Sequence, residues 1–426
     1  MSAGAAIPDP SRLFATLSPE QVRALDQVWR TLPEARLVGG VVRDLLARRN
    51  SADIDLATPE PPEQVMHRLG EAHIRAIPTG LSHGTVTALL QGHPIEITTL
   101  RRDEATDGRH AVVAWTADWR EDAARRDFTF NAMSLSRDPV RQDYALHDYF
   151  GGAADLAAGR VRFVGAAARR IEEDALRTLR FFRFQARYGT GAPDPEAVAA
   201  IAAAAPTLGG LSAERVWSEL RRILLAPTSN TTDPAASLLL MQSLGILDRL
   251  LPGGADAEQL VRRLARTTLP DESRDDAVLR LAALLCGPAG PVAAALKLSG
   301  AEGVRLGDLL ADRPAPRPGL DDAALRRMLA DEPAAILLGR SWLIEDAGDP
   351  LAWQQVREQL RRIEPPVFPL AGRDLLASGV PAGPSVGRLL AATRDWWQAG
   401  GCVADHAACL AHCRAAALAA GVLQRQ

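Results

Sequence analysis

Lysine and cysteine are both scarce in this sequence. Lys297 is the only lysine among 49 lysine and arginine residues, so almost all positive charge belongs to arginine. Arginine is the better planar donor for phosphates and base edges, although a GC-rich genome would produce the same bias. Four cysteines in 426 residues do not make a disulfide framework. They predict a reducing compartment, which we expect to be the cytoplasm.

Long apolar runs and a strong net charge are also missing. The opening "MSAGAAIPDP" has neither the charged nor the apolar region of an export signal, and no stretch of about 18 apolar residues predicts a membrane span. The net charge of −3 argues against a broadly basic surface, so any nucleic-acid site must be local. With 47% hydrophobic and 24% charged residues, the chain is globular and long enough for two to four units.

The order of secondary-structure signals predicts an α+β fold. Short β-type runs alternate with helices up to about residue 160, and helical patterns dominate after about residue 165. Ser18 followed by Pro19 predicts a helix start, and residues 166–189 read as one long amphipathic helix ended by Gly189. We therefore predict a head with a small mixed sheet at 1–160, a helical neck at 161–255, and a helical body and tail at 256–426.

Three carboxylates fall at strand positions that share a face. In "DIDLA" the period of two places Asp53 and Asp55 on one side of a strand, and in "PIEITTL" it places Glu96 opposite two core isoleucines. If the two strands are neighbours, the acids converge and could hold two divalent ions about 4 Å apart. Oxygen ligands that bridge phosphates favour Mg²⁺. A lone D-x-D pattern would more often be a solvated strand face.

A glycine pair precedes these acids. Gly39 and Gly40 lie between the strand "ARLV" and the helix "VVRDLLARR", where the missing Cβ atoms would let a phosphate oxygen approach the backbone. Arg43, one turn into the helix, could bind the same group with two hydrogen bonds. Neither G-x-G-x-x-G nor G-x-x-x-x-G-K is present, so this is not a dinucleotide fingerprint or a P-loop.

Eight motifs occur in a fixed order, and together they resemble class II CCA-adding tRNA nucleotidyltransferases. These enzymes belong to the polymerase-β-like superfamily with bacterial poly(A) polymerases. The motifs cover about residues 33–225: "GGVVRD", "DIDLAT", "LSHGTVT", "IEITTLRRD", "TDGRHA", "RRDFTFNAM", "DYFGGAADL" and "EDALRTLRFFRF". The resemblance implies a polymerase-β-like nucleotidyltransferase head at 1–160, a helical neck at 161–255 that selects nucleotides and binds RNA, and a helical body and tail at 256–426 that bind tRNA. It also implies CTP, ATP and the tRNA 3′ end as binding partners, with no membrane and no stable protein partner.

The resemblance assigns roles to individual residues. It implies that Asp53 and Asp55 ligate the metals, Glu96 assists the terminal hydroxyl, and Gly40 and Arg43 hold the triphosphate. Contacts with ribose and phosphates would come from the motif "RRDFTFNAM", that is, from Arg126, Asp127 and Asn131. The stretch 101–120 would be a mobile loop that helps the enzyme switch from C to A addition.

The segment "EDALRTLRFFRF" suggests how C and A are selected. Asp174 and Arg177 are three residues apart, hence neighbours on a helix face if the segment is helical. Aspartate accepts hydrogen bonds and arginine only donates them, which suits the amine and ring nitrogen that C and A present and opposes U and G. Arg180, Arg183 and Arg187 continue at near-helical spacing, and we expect them to reach the triphosphate or the acceptor stem. The alternative is a salt-bridged solvated face.

Two weaker signals have structural explanations. His147-Asp148 resembles an HD-type phosphohydrolase pair but lacks partner residues, and the Cys/His-rich segment 402–413 spans about 16 Å as a helix, too far for one tetrahedral ion. Small residues on a buried helix face explain the segment better. Apart from full CCA addition, the open alternatives are a poly(A) polymerase, a partial CC- or A-adding enzyme, and an inactive RNA-binding protein.

Overall fold

The computed structural model describes residues 5–6, 13–50, 53–106, 111–138, 143–226, 234–266, 275–345 and 348–423. The chain divides into two compact units, Met1–Leu250 and Leu251–Gln426. In the described parts of the chain, no helix is long and apolar enough to cross a membrane.

The first unit contains a mixed sheet with the strand order β1-β10-β9-β2-β3-β6-β5-β4. Strands β3 and β6 are parallel, and the other neighbours in this sheet are antiparallel. A separate hairpin pairs β7 with β8. The strands are β1 (Ala5–Ala6), β2 (Arg36–Val38), β3 (Asp55–Thr58), β4 (Arg75–Gly80), β5 (Thr85–Leu90), β6 (His93–Thr99), β7 (Arg101–Thr106), β8 (Ala111–Trp115), β9 (Ser134–Arg137) and β10 (Tyr144–His147).

Helices flank and follow this sheet. They are α1 (Pro19–Thr31), α2 (Gly40–Leu46), α3 (Pro62–Glu71), α4 (Trp119–Ala124), α5 (Gly152–Ala157), α6 (Ala167–Glu173), α7 (Arg177–Tyr188), α8 (Pro195–Ala204), α9 (Ala213–Leu224), α10 (Pro234–Ser243) and α11 (Ile246–Leu250). The helix predicted after Ser18 is confirmed. The Ser18 hydroxyl accepts a hydrogen bond from the Gln21 N–H at 3.2 Å, and the Gln21 side chain accepts one from the Ser18 N–H.

The single helix predicted over 166–189 is wrong, because the chain breaks between α6 and α7. Asp174 ends α6 with extended backbone angles (φ −155°, ψ 104°), and α7 begins three residues later. An aromatic cluster anchors α7 to the head: the Phe128 ring lies 4.7 Å from that of Phe163 and 5.2 Å from that of Phe184 between ring centroids. Burial of these rings fixes the start and direction of α7.

The described residues of the second unit form helices joined by loops, with one isolated bridge between Ala255 and Leu285. Its helices are α12 (Ala257–Arg266), α13 (Ala277–Leu284), α14 (Ala289–Ala295), α15 (Gly300–Leu310), α16 (Asp322–Asp331), α17 (Ala334–Leu343), α18 (Pro350–Arg362), α19 (Gly372–Ala377), α20 (Pro384–Ala399) and α21 (His406–Ala419). The predicted α+β class, a head with a small mixed sheet followed by helices, is confirmed.

Candidate active site

Two of the three acids predicted to converge, Asp55 and Glu96, lie side by side on the sheet. Asp55 on β3 is the direct neighbour of Glu96 on β6 in a parallel register, and the Glu96 N–H donates to the Ile54 carbonyl at 3.2 Å. Ile54, Ile95 and Ile97 are buried, whereas Glu96 is exposed and Asp55 is half-buried. The isoleucines therefore hold the strands in the core and leave the carboxylates on the opposite face.

Asp53 lies just outside the strand that the sequence predicted to contain it. β3 begins at Asp55, and Asp53 precedes it as an exposed residue. Burial, followed by the charges of Glu96 and Asp53, nevertheless raises the pKa of the Asp55 carboxyl from 3.8 to about 6. The three acids thus form one field of negative charge, although Asp53 is not held by a strand ladder.

These carboxylates suit a magnesium ion that also binds substrate phosphate. Among the residues the structure describes, no group of three or more His, Cys, Asp or Glu side chains is arranged to hold a metal ion. Mg²⁺ is usually held by one or two carboxylates together with water and phosphate oxygens, so a complete protein cage is not required. Burial and the charges of the neighbouring acids raise the pKa of Asp55, and a bound cation would stabilise its ionised form, so the donor set fits.

The glycine pair lies beside this acidic face. Gly39 joins β2 to α2 with φ +70°, a left-handed conformation that glycine adopts without strain, and a Cβ there would lie 2.9 Å from Nη1 of Arg126. A Cβ on Gly40 would lie 3.5 Å from Nη2 of Arg43. The backbone of this turn is thus open to two guanidinium groups, one from α2 and one from the segment after α4.

Arg43 is buried and held by protein acceptors. Its Nε and Nη2 donate to the two carboxylate oxygens of Asp44 at 3.1 and 3.0 Å, and its Nη1 donates to Oδ1 of Asn131 at 2.7 Å. Its guanidinium carbon lies 5.0 Å from the centre of the Phe184 ring and 4.6 Å from that of Tyr188. The arginine predicted to bind phosphate is therefore fixed in orientation before any ligand arrives.

The motif "RRDFTFNAM" forms a support for this site. Arg126 donates to Asp122 at 3.0 Å. The two oxygens of Asp127 are both occupied: one accepts from the Phe128 N–H and from Asn131, and the other from Arg180 at 2.7 Å. Burial alone would raise the pKa of Asp127, but Arg180 and Asn131 hold it below its ordinary value. The predicted contact of Asp127 with ribose stays a prediction, because protein donors already use its oxygens.

Asp174 and Arg177 do not share a helix face, so the derivation from i,i+3 spacing is wrong. Asp174 lies in the break before α7, where one oxygen accepts from the Leu176 N–H at 3.1 Å and the other from Arg215 at 2.7 Å. Arg177 donates to Glu173 at 2.7 Å and to the carbonyl of Arg125 at 3.2 Å. The pair lies at the junction of α6 and α7, and its role in base selection stays a prediction.

Arg180 and Arg183 face a buried glutamate. Arg180 pairs with Asp127 and lies 3.9 Å from Glu219 on α9, while Arg183 donates to the same carboxylate at 3.2 Å. Burial lowers the pKa of the Arg183 guanidinium to about 10, which leaves it charged at neutral pH. These contacts hold both arginine side chains on the face of α7 that packs against α9.

A cavity of about 680 Å³ in the first unit is lined by residues of the head, of α7 and of α9. Its lining includes Arg43 and Asp53 from the head, Arg183, Phe184 and Arg187 from α7, and a further arginine-rich set from α9 and the residues that follow it: Glu214, Trp217, Ser218, Arg221, Arg222, Leu225 and Ala226. Five arginines and two acids line this cavity, so its lining is positively charged. Because the chain as a whole is nearly neutral, this is a local basic surface.

Family models match both parts of this unit. The model described as "Poly A polymerase head domain" covers residues 35–162, and the one described as "Probable RNA and SrmB- binding site of polymerase A" covers residues 192–258. The CCA tRNA nucleotidyltransferase 1, mitochondrial, of Danio rerio is 36% identical over 385 residues, or 86% of this chain and 83% of the relative. This chain belongs to the CCA tRNA nucleotidyltransferase family.

Bacterial members of the family agree in sequence and in structure. The CCA-adding enzyme of Geobacillus thermodenitrificans is 36% identical over 56% of this chain and 55% of its own. The crystal structure of the Bacillus stearothermophilus CCA-adding enzyme in complex with CTP superposes with a TM-score of 0.74 and 28% identity, covering 95% of this chain and 99% of that one. The fold similarity therefore includes both compact units, each taken by itself.

The signals that we discounted have structural roles in this family member. His147 forms a hydrogen bond with the Ser136 hydroxyl at 2.8 Å, and the Asp148 carboxylate accepts from the N–H groups of Gly152 and Ala153 at the start of α5. Cys402, Cys409 and Cys413 are buried in the core of the second unit. Cys409 and Cys413 lie on the buried face of α21, as the explanation by a buried helix face requires, whereas Cys402 precedes the helix, which begins at His406.

Part of the predicted mobile loop is described. Its flanks form the hairpin of β7 and β8, whereas residues 107–110 lie outside the described residues. The prediction that 101–120 moves between C and A addition therefore stays a prediction.

Three site residues were missed by the sequence analysis: Asp44, Tyr188 and Glu219. Glu219 stands in the apolar stripe of α9, between Val216 and Leu220, where a carboxylate requires a buried partner. Tyr188 ends the apolar face of α7, and a buried tyrosine hydroxyl needs a hydrogen-bond acceptor. Both positions could have been recognised as polar groups on core faces, although their partners could not.

Proposed function

We propose that this protein adds C, C and A to the 3′ end of tRNA, using CTP and ATP and no nucleic-acid template. The observation that carries the proposal is the register that places Asp55 beside Glu96, next to the Gly39–Gly40 turn and Arg43. Acids that would bind metal and donors that would bind a triphosphate thus belong to the neighbouring central strands β2, β3 and β6 and to the turn after β2. Membership of the CCA tRNA nucleotidyltransferase family supports the same reaction.

The proposed chemistry is nucleotidyl transfer at an acidic face. Asp53 and Asp55 would hold Mg²⁺, which when bound acts as a Lewis acid toward the phosphate and the attacking hydroxyl. Glu96, which lies beside Asp55 and is exposed, would assist the terminal hydroxyl of the tRNA. Gly40, Arg43 and Arg126 would hold the triphosphate, because they present backbone and guanidinium donors around one turn.

Base selection is proposed for the junction of α6 and α7. Asp174 offers an acceptor and Arg177 offers donors, the combination that C and A complement and that U and G oppose. Both side chains hold protein partners, so a base would have to exchange with Arg215 at Asp174 and with Glu173 at Arg177. The neighbouring Arg180, Arg183 and Arg187 would face the triphosphate or the acceptor stem.

A single incorporation experiment separates the four candidate activities. Purified protein is incubated with Mg²⁺, with tRNA ending at the discriminator base, and with labelled CTP or ATP alone and together. Full CCA addition gives two C residues with CTP alone and a stop after the added A when both are present. A long A tail indicates a poly(A) polymerase, a product limited to CC or to A indicates a partial enzyme, and no product indicates a binding protein.

The cytoplasm is our proposal for the location of this enzyme. All four cysteines are free thiols, which fits a reducing compartment. Some relatives are named as mitochondrial proteins, so fractionation of source cells with an antibody decides the matter. Signal in a membrane-bounded compartment would contradict the proposal.

A further inference from the structure

Asp44 engages Arg43 with both carboxylate oxygens although the two residues are adjacent in sequence. Together with the bond to Asn131, this uses three of the five guanidinium N–H groups, one each on Nε, Nη1 and Nη2. One N–H on each terminal nitrogen is left beyond these three bonds. Arg43 also lines the cavity that Asp53 borders, so its guanidinium belongs to the proposed triphosphate site.

Tyr188 fixes this pair from the far side. Its hydroxyl donates to Oδ1 of Asp44, the same oxygen that accepts from Nε of Arg43. Its ring lies under the Arg43 guanidinium at 4.6 Å, and Arg49 covers the same ring at 4.7 Å. Tyr188 is only 6% exposed and is the last residue of α7, so the contact links the end of that helix to α2 in the head.

We propose that Tyr188 and Asp44 are positioning residues that aim the free donors of Arg43 at the triphosphate of CTP and ATP. This inference rests on the proposed function, because it concerns the same nucleotide site. A guanidinium is a flat fork, and its value for phosphate binding depends on its orientation. The Asp44 carboxylate fixes the plane of the Arg43 guanidinium, and the Tyr188 hydroxyl fixes the position of that carboxylate. The rings of Tyr188 and Phe184 restrict rotation of the guanidinium.

The hydroxyl of Tyr188 matters because Asp44 could otherwise weaken the site. A carboxylate beside the phosphate-binding arginine neutralises part of its charge and would repel a phosphate if it rotated into the cavity. The bond from Tyr188 holds Oδ1 of Asp44 in place, and neither residue is among those that line that cavity. The tyrosine therefore contributes to phosphate binding without touching the nucleotide.

Tyr188→Phe tests this role, because it removes only the hydroxyl. We expect the dissociation constant for CTP and for ATP to rise about three- to tenfold, since one hydrogen bond to a charged group is lost. Binding of CMP, which lacks the β- and γ-phosphates, should stay unchanged. Tyr144→Phe is the matched control: Tyr144 is also buried in the head, packs against Phe14 and Trp29, and lies outside the site.

A double-mutant cycle with Arg43→Met separates positioning from general support. If Tyr188 acts through Arg43, Tyr188→Phe adds no further loss of CTP binding in the Arg43→Met background. Equal losses in both backgrounds, equal losses for CTP and CMP, or no loss at all would overturn the inference. Should Arg43→Met fail to fold, the CTP-to-CMP comparison in Tyr188→Phe alone decides. These binding assays contain no tRNA, so their result can be interpreted even if the protein does not add CCA to tRNA.

Discussion

The surroundings of Asp55 oppose the negative charge on its carboxylate. Burial and two neighbouring acids raise its pKa to about 6, so the folded protein binds a proton there more tightly than the unfolded chain does. Stability is therefore lost as the pH rises from about 4 to about 6, and the full cost is present at neutral pH. A carboxylate whose pKa is raised by burial and by neighbouring acids is typical of a functional site.

Asp55→Asn should stabilise the protein when no metal is present. The substitution removes a disfavoured charge, and a pKa raised by roughly two units corresponds to a gain on the order of 2 kcal/mol at pH 7.5. The gain should shrink through the window from pH 6 to pH 4. Thermal unfolding in EDTA at several pH values measures it, and an unchanged or lower melting temperature at pH 7.5 contradicts the prediction.

Asp122→Asn is the matched comparison. Burial alone would raise the pKa of Asp122, but Arg126 and Arg125 hold it below its ordinary value. Its carboxylate accepts from these guanidinium groups at 2.7 and 3.0 Å, so its ionised form stabilises the fold at neutral pH. The same chemical change should therefore lower the melting temperature, the opposite sign from Asp55→Asn.

Asp53→Ala should abolish nucleotide incorporation while tRNA binding persists. Asp53 is exposed and lies outside β3, so its loss should leave the fold intact and remove one proposed metal ligand. Incorporation of labelled CTP and a filter-binding assay with tRNA measure the two effects. Asp143→Ala, which removes an exposed acid elsewhere in the head, is the control. Retained turnover in Asp53→Ala would remove the metal role.

At the level of elements, the break between α6 and α7 shows where prediction from sequence fails. "EDALRTL" contains no proline or glycine, so local propensity favours a continuous helix. Partners distant in sequence override it: Arg215 holds Asp174, and the carbonyl of Arg125 binds Arg177. Asp55 beside Glu96 could be predicted because strand periodicity is local and the flanking isoleucines mark the core face. The bond of Tyr188 to Asp44 could not, since it joins residues 144 positions apart.

Arg177→Ala should reduce the preference of the enzyme for incorporating C and A over U. The guanidinium is the donor half of the proposed selecting pair, and its loss should reduce discrimination about tenfold, as expected when one hydrogen-bonding partner is removed. Single-nucleotide incorporation with CTP, ATP and UTP measures the ratio. Arg169→Ala is the control, because Arg169 also faces Glu173 but its side chain is 76% exposed. Unchanged selectivity in Arg177→Ala would exclude the templating role.

At the level of the whole molecule, the chain consists of two compact units that meet in sequence at Leu250–Leu251. The predicted boundary at 255 lies near this point, whereas residues 1–250 form one unit that includes both the predicted head and the predicted neck. That grouping has a physical reason, because the aromatic cluster and the bonds of Arg180 and Tyr188 tie α7 to the head. The division at 160 and the roles of the predicted domains stay predictions.

A fragment that ends at Pro252 should fold and bind CTP with the affinity of the full chain. All residues that line the candidate nucleotide cavity belong to the first unit. Affinity for tRNA should fall roughly tenfold or more, since phosphate contacts made by the second unit would be lost. Calorimetry with CTP and filter binding with tRNA measure the two quantities. Full tRNA affinity in the fragment would contradict the proposed role of residues 256–426.

The turn between β5 and β6 is only two residues long, Gln91 and Gly92, both with positive φ. Its length determines which side chains of β6 stand next to β3. If one residue were inserted in this turn, the pairing of β6 would shift by one position. Its side chains would then exchange faces, and an isoleucine would stand where Glu96 now stands. A relative with a longer turn at this position could have all three acids in its sequence and still be inactive. The length of this turn should therefore be compared, as well as the identity of the acids, when activity is assigned to a relative.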